Sequence, residues 1–254
     1  MLKTTAAPVA VFDSGIGGIG VLREIRRILP RENLLYFGDT AMAPYGERAP
    51  EEIKALVLHH AAHLLTHAKA LVLACNTATA VAAEVLRATY SEVPIIGMEP
   101  AVRPALLTGK HKTVLILATA ATLREQKLSR LLEEHKGRAT FLTCAAPSLV
   151  RLVEQGHFDD EVAKREIAAL LDPILAHATP DAVVLGCTHF PFVAGTISRF
   201  FGGTVPLFDG AKGTAGELAR RLKAAGLDRR DARHGSVVLS ASDPASLTAM
   251  RRLL

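Results

Sequence analysis

The sequence has 254 residues, of which 49% are hydrophobic and 22% are charged, a balance typical of a globular protein with a large core. Three cysteines are too few for a disulfide framework, and no apolar run is long enough to span a membrane. The first residues lead straight into a strand-like run without the pattern of a signal peptide, so we expect a cytoplasmic protein with free thiols.

The net charge of +5 comes from basic residues that are scattered along the chain, with only small local groups of arginine. Aromatic residues make up 5% of the chain and do not alternate with the basic ones. Surfaces that bind nucleic acid combine clustered basic residues with stacking aromatic side chains. We therefore expect neither nucleic acid nor a membrane as a partner.

Strand-like and helix-like segments alternate along the first half of the chain. Runs of apolar and β-branched residues predict strands, and segments with a helical period of apolar residues predict helices. The predicted strands are 8–12, 33–37, 70–74 and 94–97, and the predicted helices are 19–29, 51–66 and 78–89. This order indicates a parallel sheet, because parallel strands are joined by crossover helices.

The same order restarts near residue 100. The predicted strands are 113–117, 139–143, 181–185, 205–208 and 237–240, and the predicted helices are 122–134, 160–176, 196–201, 211–224 and a terminal helix. We therefore predict an α/β fold with two similar domains, each a parallel sheet flanked by helices. The predicted domains are residues 1–98 with 210–254, and residues 99–209. Because ligands of parallel sheets bind beyond the carboxyl ends of the strands, we expect the active site in the cleft between the domains.

Two matching cysteine segments are the main indication of chemistry. Cys75 ends one predicted strand and is followed by Asn76 and Thr77, while Cys187 ends another and is followed by Thr188 and His189. Both cysteines precede predicted helix N-termini, where partial positive charge favours the thiolate. A buried core role would explain one such cysteine, but a matched pair, one in each half, predicts a common function.

A pair of thiols fits the inversion of an amino-acid α-carbon. One group removes the α-proton from one face, and a second group returns a proton to the other face. Thiols suit both roles, because their pKa of about 8.5 is readily lowered by the surroundings. We expect His189 to assist Cys187 and Asp13 to assist Cys75.

A glycine-rich segment between the first strand and helix offers a rival interpretation. It matches the dinucleotide-binding pattern G-x-G-x-x-G at Gly15–Gly20, and Asp39 falls where a ribose-binding acid would lie. However, Asp13 and Ser14 intervene between strand and loop, and a dehydrogenase would not require two cysteine segments. The same loop also suits a carboxylate, because glycines allow close approach to free N–H groups. An NAD-dependent oxidoreductase remains an alternative.

Metal binding is the other alternative, and we predict no metal. Cys75, Cys187 and His189 lack the two clustered ligand pairs of a zinc site. His59, His63 and His67 recur every four residues on a predicted helix beside His60, but no cysteine or carboxylate joins them. A solvated or interface face is the simpler interpretation. Cys144 is predicted to be structural.

Four motifs resemble those of the glutamate racemases of the aspartate/glutamate racemase family. The resemblance covers about Val9 to Gly216. The motifs are Asp13-Ser14-Gly15-x-Gly17-Gly18, Pro44-Tyr45-Gly46, Ala74-Cys75-Asn76-Thr77-Ala78-Thr79 and Leu185-Gly186-Cys187-Thr188-His189-Phe190-Pro191.

This resemblance implies an isomerase that interconverts L- and D-glutamate without a cofactor and supplies D-glutamate for peptidoglycan. It implies that Cys75 takes the α-proton from D-glutamate and Cys187 from L-glutamate, with Asp13 and His189 assisting. It also implies a homodimer. The implied substrate-binding residues are Asp13, Ser14, Pro44, Tyr45, Gly46, Asn76, Thr77, Thr119, Thr122, Glu154, Thr188 and His189. A racemase acting on aspartate or another acidic amino acid is the close alternative.

Overall fold

A computed structural model describes residues 4–107, 109–231 and 233–254. The chain forms two compact units, one comprising the chain up to Met98 together with Ala211–Leu254, and the other comprising Glu99–Gly210. Each unit contains one sheet in which all the paired strands run parallel. The predicted α/β class, with parallel strands flanked by helices, is confirmed.

The first unit has its sheet in the order β4-β3-β1-β2-β9. Its strands are β1 (Val9–Asp13), β2 (Leu34–Gly38), β3 (Ala70–Leu73), β4 (Ile95–Gly97) and β9 (Val237–Ala241). Its helices are α1 (Ile19–Ile28), α2 (Pro50–His67), α3 (Asn76–Thr89), α10 (Ala211–Ala224) and α11 (Leu247–Leu253), with short 3-10 turns at Thr40–Met42, Tyr45–Glu47 and Pro244–Ser246.

The second unit has its sheet in the order β6-β5-β7-β8. Its strands are β5 (Thr113–Ala118), β6 (Thr140–Ala145), β7 (Ala182–Gly186) and β8 (Leu207–Asp209). Its helices are α4 (Val102–Leu107), α5 (Ala120–Leu123), α6 (Gln126–His135), α7 (Pro147–Glu154), α8 (Glu161–Leu175) and α9 (Ala194–Phe200), with a 3-10 turn at Phe190–Val193.

The strands that precede the two predicted thiols are buried along their whole length. Every residue of β3 and of β7 is buried, as is every residue of β1. Helices cover both faces of a parallel sheet, so its inner strands become continuous apolar runs without alternation. The polar residues that follow such a run therefore emerge at the carboxyl edge of the sheet, which is where ligands bind.

Three predictions about helices differ from the structure. The predicted helix 122–134 is two helices, because Thr119 caps the short α5 and Glu125 has an extended backbone before α6. The helices α4 and α7 are not predicted from the sequence, although in α7 Pro147 suits a first helical turn and Leu149 and Val153 bury the apolar side.

The third difference concerns Cys187. No α-helix follows this residue directly. A turn and the 3-10 segment Phe190–Val193 lie between Cys187 and α9. Consequently, the stabilisation of a thiolate by a helix N-terminus, which was expected for both cysteines, applies only to Cys75 among the described elements.

Among the helices that the structure describes, none combines the length and the apolarity that crossing a membrane requires.

Candidate active site

In the first unit, Asp13 and Cys75 emerge from neighbouring strands. Phe12 of β1 lies beside Leu73 of β3, and the Ala74 N–H donates to the Phe12 carbonyl at 2.8 Å. The chain therefore delivers Asp13-Ser14 and Cys75-Asn76 to the same edge of the sheet. We call Asp13, Ser14, Tyr45, Cys75, Asn76 and Thr77 the Cys75 cluster.

Cys75 is 6% exposed, and its sulfur contacts α3 and Ser14. Its sulfur accepts a hydrogen bond from the Ala78 N–H at 3.4 Å, as the N-cap of α3, and lies 3.5 Å from the Ser14 hydroxyl oxygen. An N-cap position lies at the positive end of the helix dipole, which favours a negatively charged thiolate. The fold thus provides Cys75 with a stabilising field that comes from the backbone.

Asp13 is fully buried, and the glycine loop makes room for it. Its carboxylate accepts a hydrogen bond from the Gly15 N–H at 2.9 Å, and Gly18, not Asp13, caps α1. A Cβ atom at Gly18 would lie 2.6 Å from the Asp13 Cβ and 3.0 Å from the Tyr36 ring. The loop therefore needs glycine at position 18 because of the Asp13 side chain.

Asn76 has an unsatisfied polar side chain. Both its amide nitrogen and its amide oxygen are buried, and neither has a hydrogen-bond partner among the described residues. Buried polar groups are nearly always paired, so an unpaired amide beside a thiol indicates a place for a polar ligand or water. Thr77, the next residue in the first turn of α3, is also buried.

Tyr45 is directed inward toward Asp39. Its hydroxyl donates to the Asp39 carboxylate at 2.6 Å, and its ring is buried against Phe12. Burial, the hydrogen bond to Asp39 and the nearby Cys75 and Asp13 together raise the pKa of Tyr45 far above its usual value. The tyrosine hydroxyl is therefore neutral, and its proton forms the hydrogen bond to Asp39.

Asp39 in turn is held by donors from separate segments. Burial alone would raise the pKa of this carboxyl, but hydrogen bonds from His60, Tyr45 and Ser242 outweigh burial and lower the pKa below its usual value. A buried carboxylate with these partners is not available to a ribose. The arrangement argues against the nicotinamide alternative, which needed Asp39 as a ribose ligand.

In the second unit, Cys187, His189 and Glu154 form a chain. The Cys187 sulfur is 3.7 Å from His189 Nδ1, and His189 Nε2 is 2.6 Å from the Glu154 carboxylate. Cys187 is 7% exposed and His189 is buried, while Glu154 is half-buried at the end of α7. We call Thr119, Thr122, Glu154, Cys187, Thr188 and His189 the Cys187 cluster.

His189 is set up to carry a positive charge. Burial would lower its pKa, but hydrogen bonds to Cys187 and Glu154 and the negative charges of those two groups raise it well above the usual value. A histidine flanked by two groups that become anionic is stabilised as the imidazolium. The arrangement can therefore hold a thiolate at Cys187 and relay a proton beside it.

The threonines of the second unit lie at the same edge of its sheet. Ala118 pairs with Gly186 in the register of β5 and β7, so Thr119 and Cys187 leave adjacent strand ends. The Thr119 hydroxyl donates to the Thr122 hydroxyl at 2.9 Å and accepts from the Thr122 N–H at 3.1 Å. Thr188 lies with its hydroxyl oxygen 3.4 Å from His189 Nδ1. The structure thus gathers each set of predicted residues within its own unit.

The remaining candidates belong to neither cluster. Cys144 is half-buried on the edge strand β6, where burial raises the pKa of its thiol. His59, His63 and His67 are exposed on α2. Within the described ranges, no group of three or more histidine, cysteine and acidic side chains is arranged to hold a metal ion.

The sequence did not indicate the contact between Asp39, Tyr45 and His60. The sequence predicts His60 to lie with the other histidines on a solvated or interface face, yet its Nε2 lies 3.3 Å from Asp39 and its side chain is 19% exposed. One signal was present: His60 follows Val57 by three residues and Ile53 by seven, and both are buried on the core side of α2.

Comparison with known proteins agrees with this geometry. The model of the Asp/Glu/Hydantoin racemase family matches residues 17–218. A glutamate racemase of Cupriavidus pinatubonensis is 45% identical over 223 residues, which cover 87% of this chain and 81% of that protein. A glutamate racemase of Clostridium perfringens is 39% identical over 232 residues, which cover 91% of this chain and 89% of that protein.

A solved structure extends the similarity to the fold. The crystal structure of glutamate racemase from Thermus thermophilus in complex with β-chloro-D-alanine superimposes with a TM-score of 0.83 at 37% identity, covering 99% of this chain and 94% of that one. The resemblance predicted from the cysteine motifs is confirmed. This chain belongs to the Asp/Glu/Hydantoin racemase family.

Proposed function

We propose that this protein is a cofactor-independent glutamate racemase, with a small amino acid as its substrate. One observation carries the proposal: each of two similarly built units places a buried thiol at the carboxyl end of a strand beside its first strand. The family to which the chain belongs includes close relatives that are glutamate racemases. In line with these relatives, the proposed role is to supply D-glutamate for peptidoglycan synthesis in the cytoplasm.

The proposed reaction needs two proton carriers and no cofactor. A thiolate on one face of the α-carbon accepts the α-proton, and the electron pair of the C–H bond remains on that carbon beside its carboxylate. A thiol on the other face then gives its proton to the carbon and becomes a thiolate. The carbon is inverted, and the two sulfurs have exchanged their protonation states, so no atom or electron is gained or lost.

The Cys75 cluster is proposed to act on D-glutamate. The N-terminus of α3 favours the Cys75 thiolate, and the buried Asp13 carboxylate is proposed to assist proton transfer and to bind the substrate ammonium. The unpaired amide of Asn76 offers both a donor and an acceptor to a polar substrate. Ser14, Thr77 and the segment Pro44–Gly46 complete the proposed contacts.

The Cys187 cluster is proposed to act on L-glutamate. His189, held by Glu154, stabilises the Cys187 thiolate as an imidazolium and assists transfer of its proton. Hydroxyls of Thr119, Thr122 and Thr188 are proposed to contact the carboxylates of the substrate. All of these groups suit an acidic amino acid as the substrate.

The test is a hydrogen-exchange measurement. Dialysed protein is incubated in D2O with L-glutamate, and separately with D-glutamate, and proton NMR follows the α-hydrogen signal. Because each sulfur exchanges its proton with solvent, we expect both enantiomers to lose the α-hydrogen signal and to interconvert. Retention of the α-hydrogen signal in both enantiomers would contradict the proposal. Faster exchange with aspartate than with glutamate would identify aspartate as the substrate.

Two further parts of the proposal have simple tests. Activity is expected to be unchanged after treatment with EDTA and without added nicotinamide or pyridoxal cofactors; dependence on any of these would contradict the cofactor-independent mechanism. We also propose a homodimer, in line with the family resemblance. Light scattering at working concentration tests it, and a monomer mass with full activity would exclude it.

A further inference from the structure

Asp39 connects the segment that contains Tyr45 with two distant parts of the first unit. Its carboxylate accepts a hydrogen bond from Tyr45 in the turn after β2, lies 3.3 Å from Nε2 of His60 on α2, and interacts with Ser242 after β9. Its own N–H donates to the Asp13 carbonyl at 2.9 Å. A buried carboxylate that interacts with side chains from three separate segments is fixed in position, so it can fix its partners in turn.

His60 is the partner whose role is least expected from the sequence. Its ring packs on Phe12 with centroids 5.9 Å apart and on Phe37 with centroids 4.7 Å apart. These contacts direct Nε2 toward the Asp39 carboxylate, 3.3 Å away. A donor held by ring packing loses little rotamer freedom on forming its hydrogen bond, so it makes an effective brace.

Tyr45 is the group that this brace acts on. Its hydroxyl has one proton, which it donates in a hydrogen bond to the Asp39 carboxylate. The side chain therefore has no proton to donate to a substrate, and it anchors the turn instead. What remains for a substrate at this turn is the main chain: Tyr45 and Gly46 open a 3-10 turn, and the first N–H groups of such a turn lie outside its internal hydrogen bonds.

We propose that His60 and Asp39 are positioning residues, which hold the Tyr45 hydroxyl and thereby fix the segment Pro44–Gly46 where it binds the substrate. This inference rests on the proposed function, since it assumes that Pro44–Gly46 contacts glutamate. Neither residue transfers a proton. The brace is therefore expected to affect substrate binding far more than the chemical step.

The test compares substitutions of His60 with a matched histidine on the same helix. H60F keeps an aromatic ring beside Phe12 and Phe37 but removes the donor. We expect H60F to raise the KM for glutamate about tenfold and to change kcat less than about twofold. The reason is that an interaction which stabilises the bound substrate and the transition state equally affects KM and not kcat. H60Q retains an amide donor and is expected to recover most of the loss. The control H63F changes an exposed histidine and is expected to leave both constants unchanged.

A double-mutant cycle shows whether His60 acts through Tyr45. Y45F removes the hydroxyl that the brace holds, and it is expected to raise KM by a similar factor. The double variant H60F/Y45F is then expected to have the same KM as Y45F alone, because both changes remove the same support of the segment Pro44–Gly46. Thermal unfolding of each variant monitors folding, and H60Q and Y45F carry the comparison should H60F unfold.

Three results would overturn the inference. They are an unchanged KM in H60F, a loss confined to kcat, and KM effects that multiply in the double variant. A failure of the proposed function is distinguishable from these results, because the wild-type protein would then not racemise glutamate at all.

Discussion

The two thiol clusters occupy corresponding places but stabilise their sulfurs by different means. Each thiol follows a strand that neighbours the first strand of its unit, β3 beside β1 and β7 beside β5. Cys75 caps α3, and the neutral hydroxyl of Ser14 lies 3.5 Å from its sulfur. Cys187 precedes a turn and a 3-10 segment, and its neighbour is a histidine paired with a carboxylate.

This difference teaches how one architecture can produce two thiolates. A helix N-terminus supplies about half a positive charge from peptide dipoles, and this charge does not titrate. An imidazolium supplies a full charge that depends on pH. We therefore expect the Cys75 side of the reaction to tolerate side-chain changes and pH changes better than the Cys187 side.

The largest effect is expected from removing either thiol. C75A and C187A each leave the reaction without one of its two proton carriers, so racemisation of glutamate should fall by about 10³-fold or more. Circular dichroism of the substrate measures the rate from each enantiomer. C144A is the matched control, because Cys144 lies on β6 and belongs to neither cluster, and it should keep wild-type activity. Substantial racemisation by C75A or C187A would exclude a mechanism with two thiols.

The next largest effect is expected from His189 and should separate the two directions. H189N removes the imidazolium beside Cys187, so turnover of L-glutamate should fall by about 10²-fold. Because Cys75 is proposed to remove the proton from D-glutamate, the initial loss of the α-hydrogen from D-glutamate in D2O should fall much less. Single-turnover exchange with each enantiomer measures both steps. Equal losses on the two sides would contradict the division of labour between the clusters.

A smaller effect is expected from Glu154, and it should depend on pH. E154Q removes a carboxylate that raises the pKa of His189, so the alkaline limb of kcat/KM for L-glutamate should move to lower pH. The control E161Q changes an exposed carboxylate on α8 and should leave the profile unchanged. An unshifted alkaline limb in E154Q would show that this pair does not set the profile.

The same pair also makes stability depend on pH. Because the pKa of His189 is raised on folding, the stabilisation is fully present below the ordinary value of 6.5 and is lost as the pH rises through the raised pKa. The difference in unfolding free energy between wild type and E154Q should therefore be largest below pH 6.5, at about 2 kcal/mol. Urea unfolding across this range measures it, and a difference that grows with pH would contradict the assignment.

The sequence predicted the strands and the thiols for a physical reason. Buried parallel strands are continuous apolar runs, and the residues that follow them must lie at the carboxyl edge, as Asp13, Cys75 and Cys187 do. These features depend on short stretches of chain. They can therefore be predicted without knowing which distant segments pack against them.

Contacts between distant segments were not predictable in the same way. His60 on α2 contacts Asp39, the residue that follows β2. In the local sequence pattern of α2, only the spacing of His60 from Val57 distinguishes it from its exposed neighbours. Glu154 contacts His189 from α7, a helix that begins at a proline and that the sequence pattern does not predict. In both cases the tertiary partner, and not the residue type, decides the role.

The smallest effect is expected from Ser14, and it tests the comparison most directly. S14A removes the hydroxyl that lies 3.5 Å from the Cys75 sulfur but leaves the N-terminus of α3 and the Ala78 N–H in place. Since the helix dipole remains, turnover of D-glutamate should fall by only about threefold, about 0.7 kcal/mol. S91A, at an exposed serine after α3, is the control. A loss in S14A as large as that in H189N would mean that Cys75 depends on a side chain as Cys187 does, and that the backbone field of α3 does not suffice to hold its thiolate.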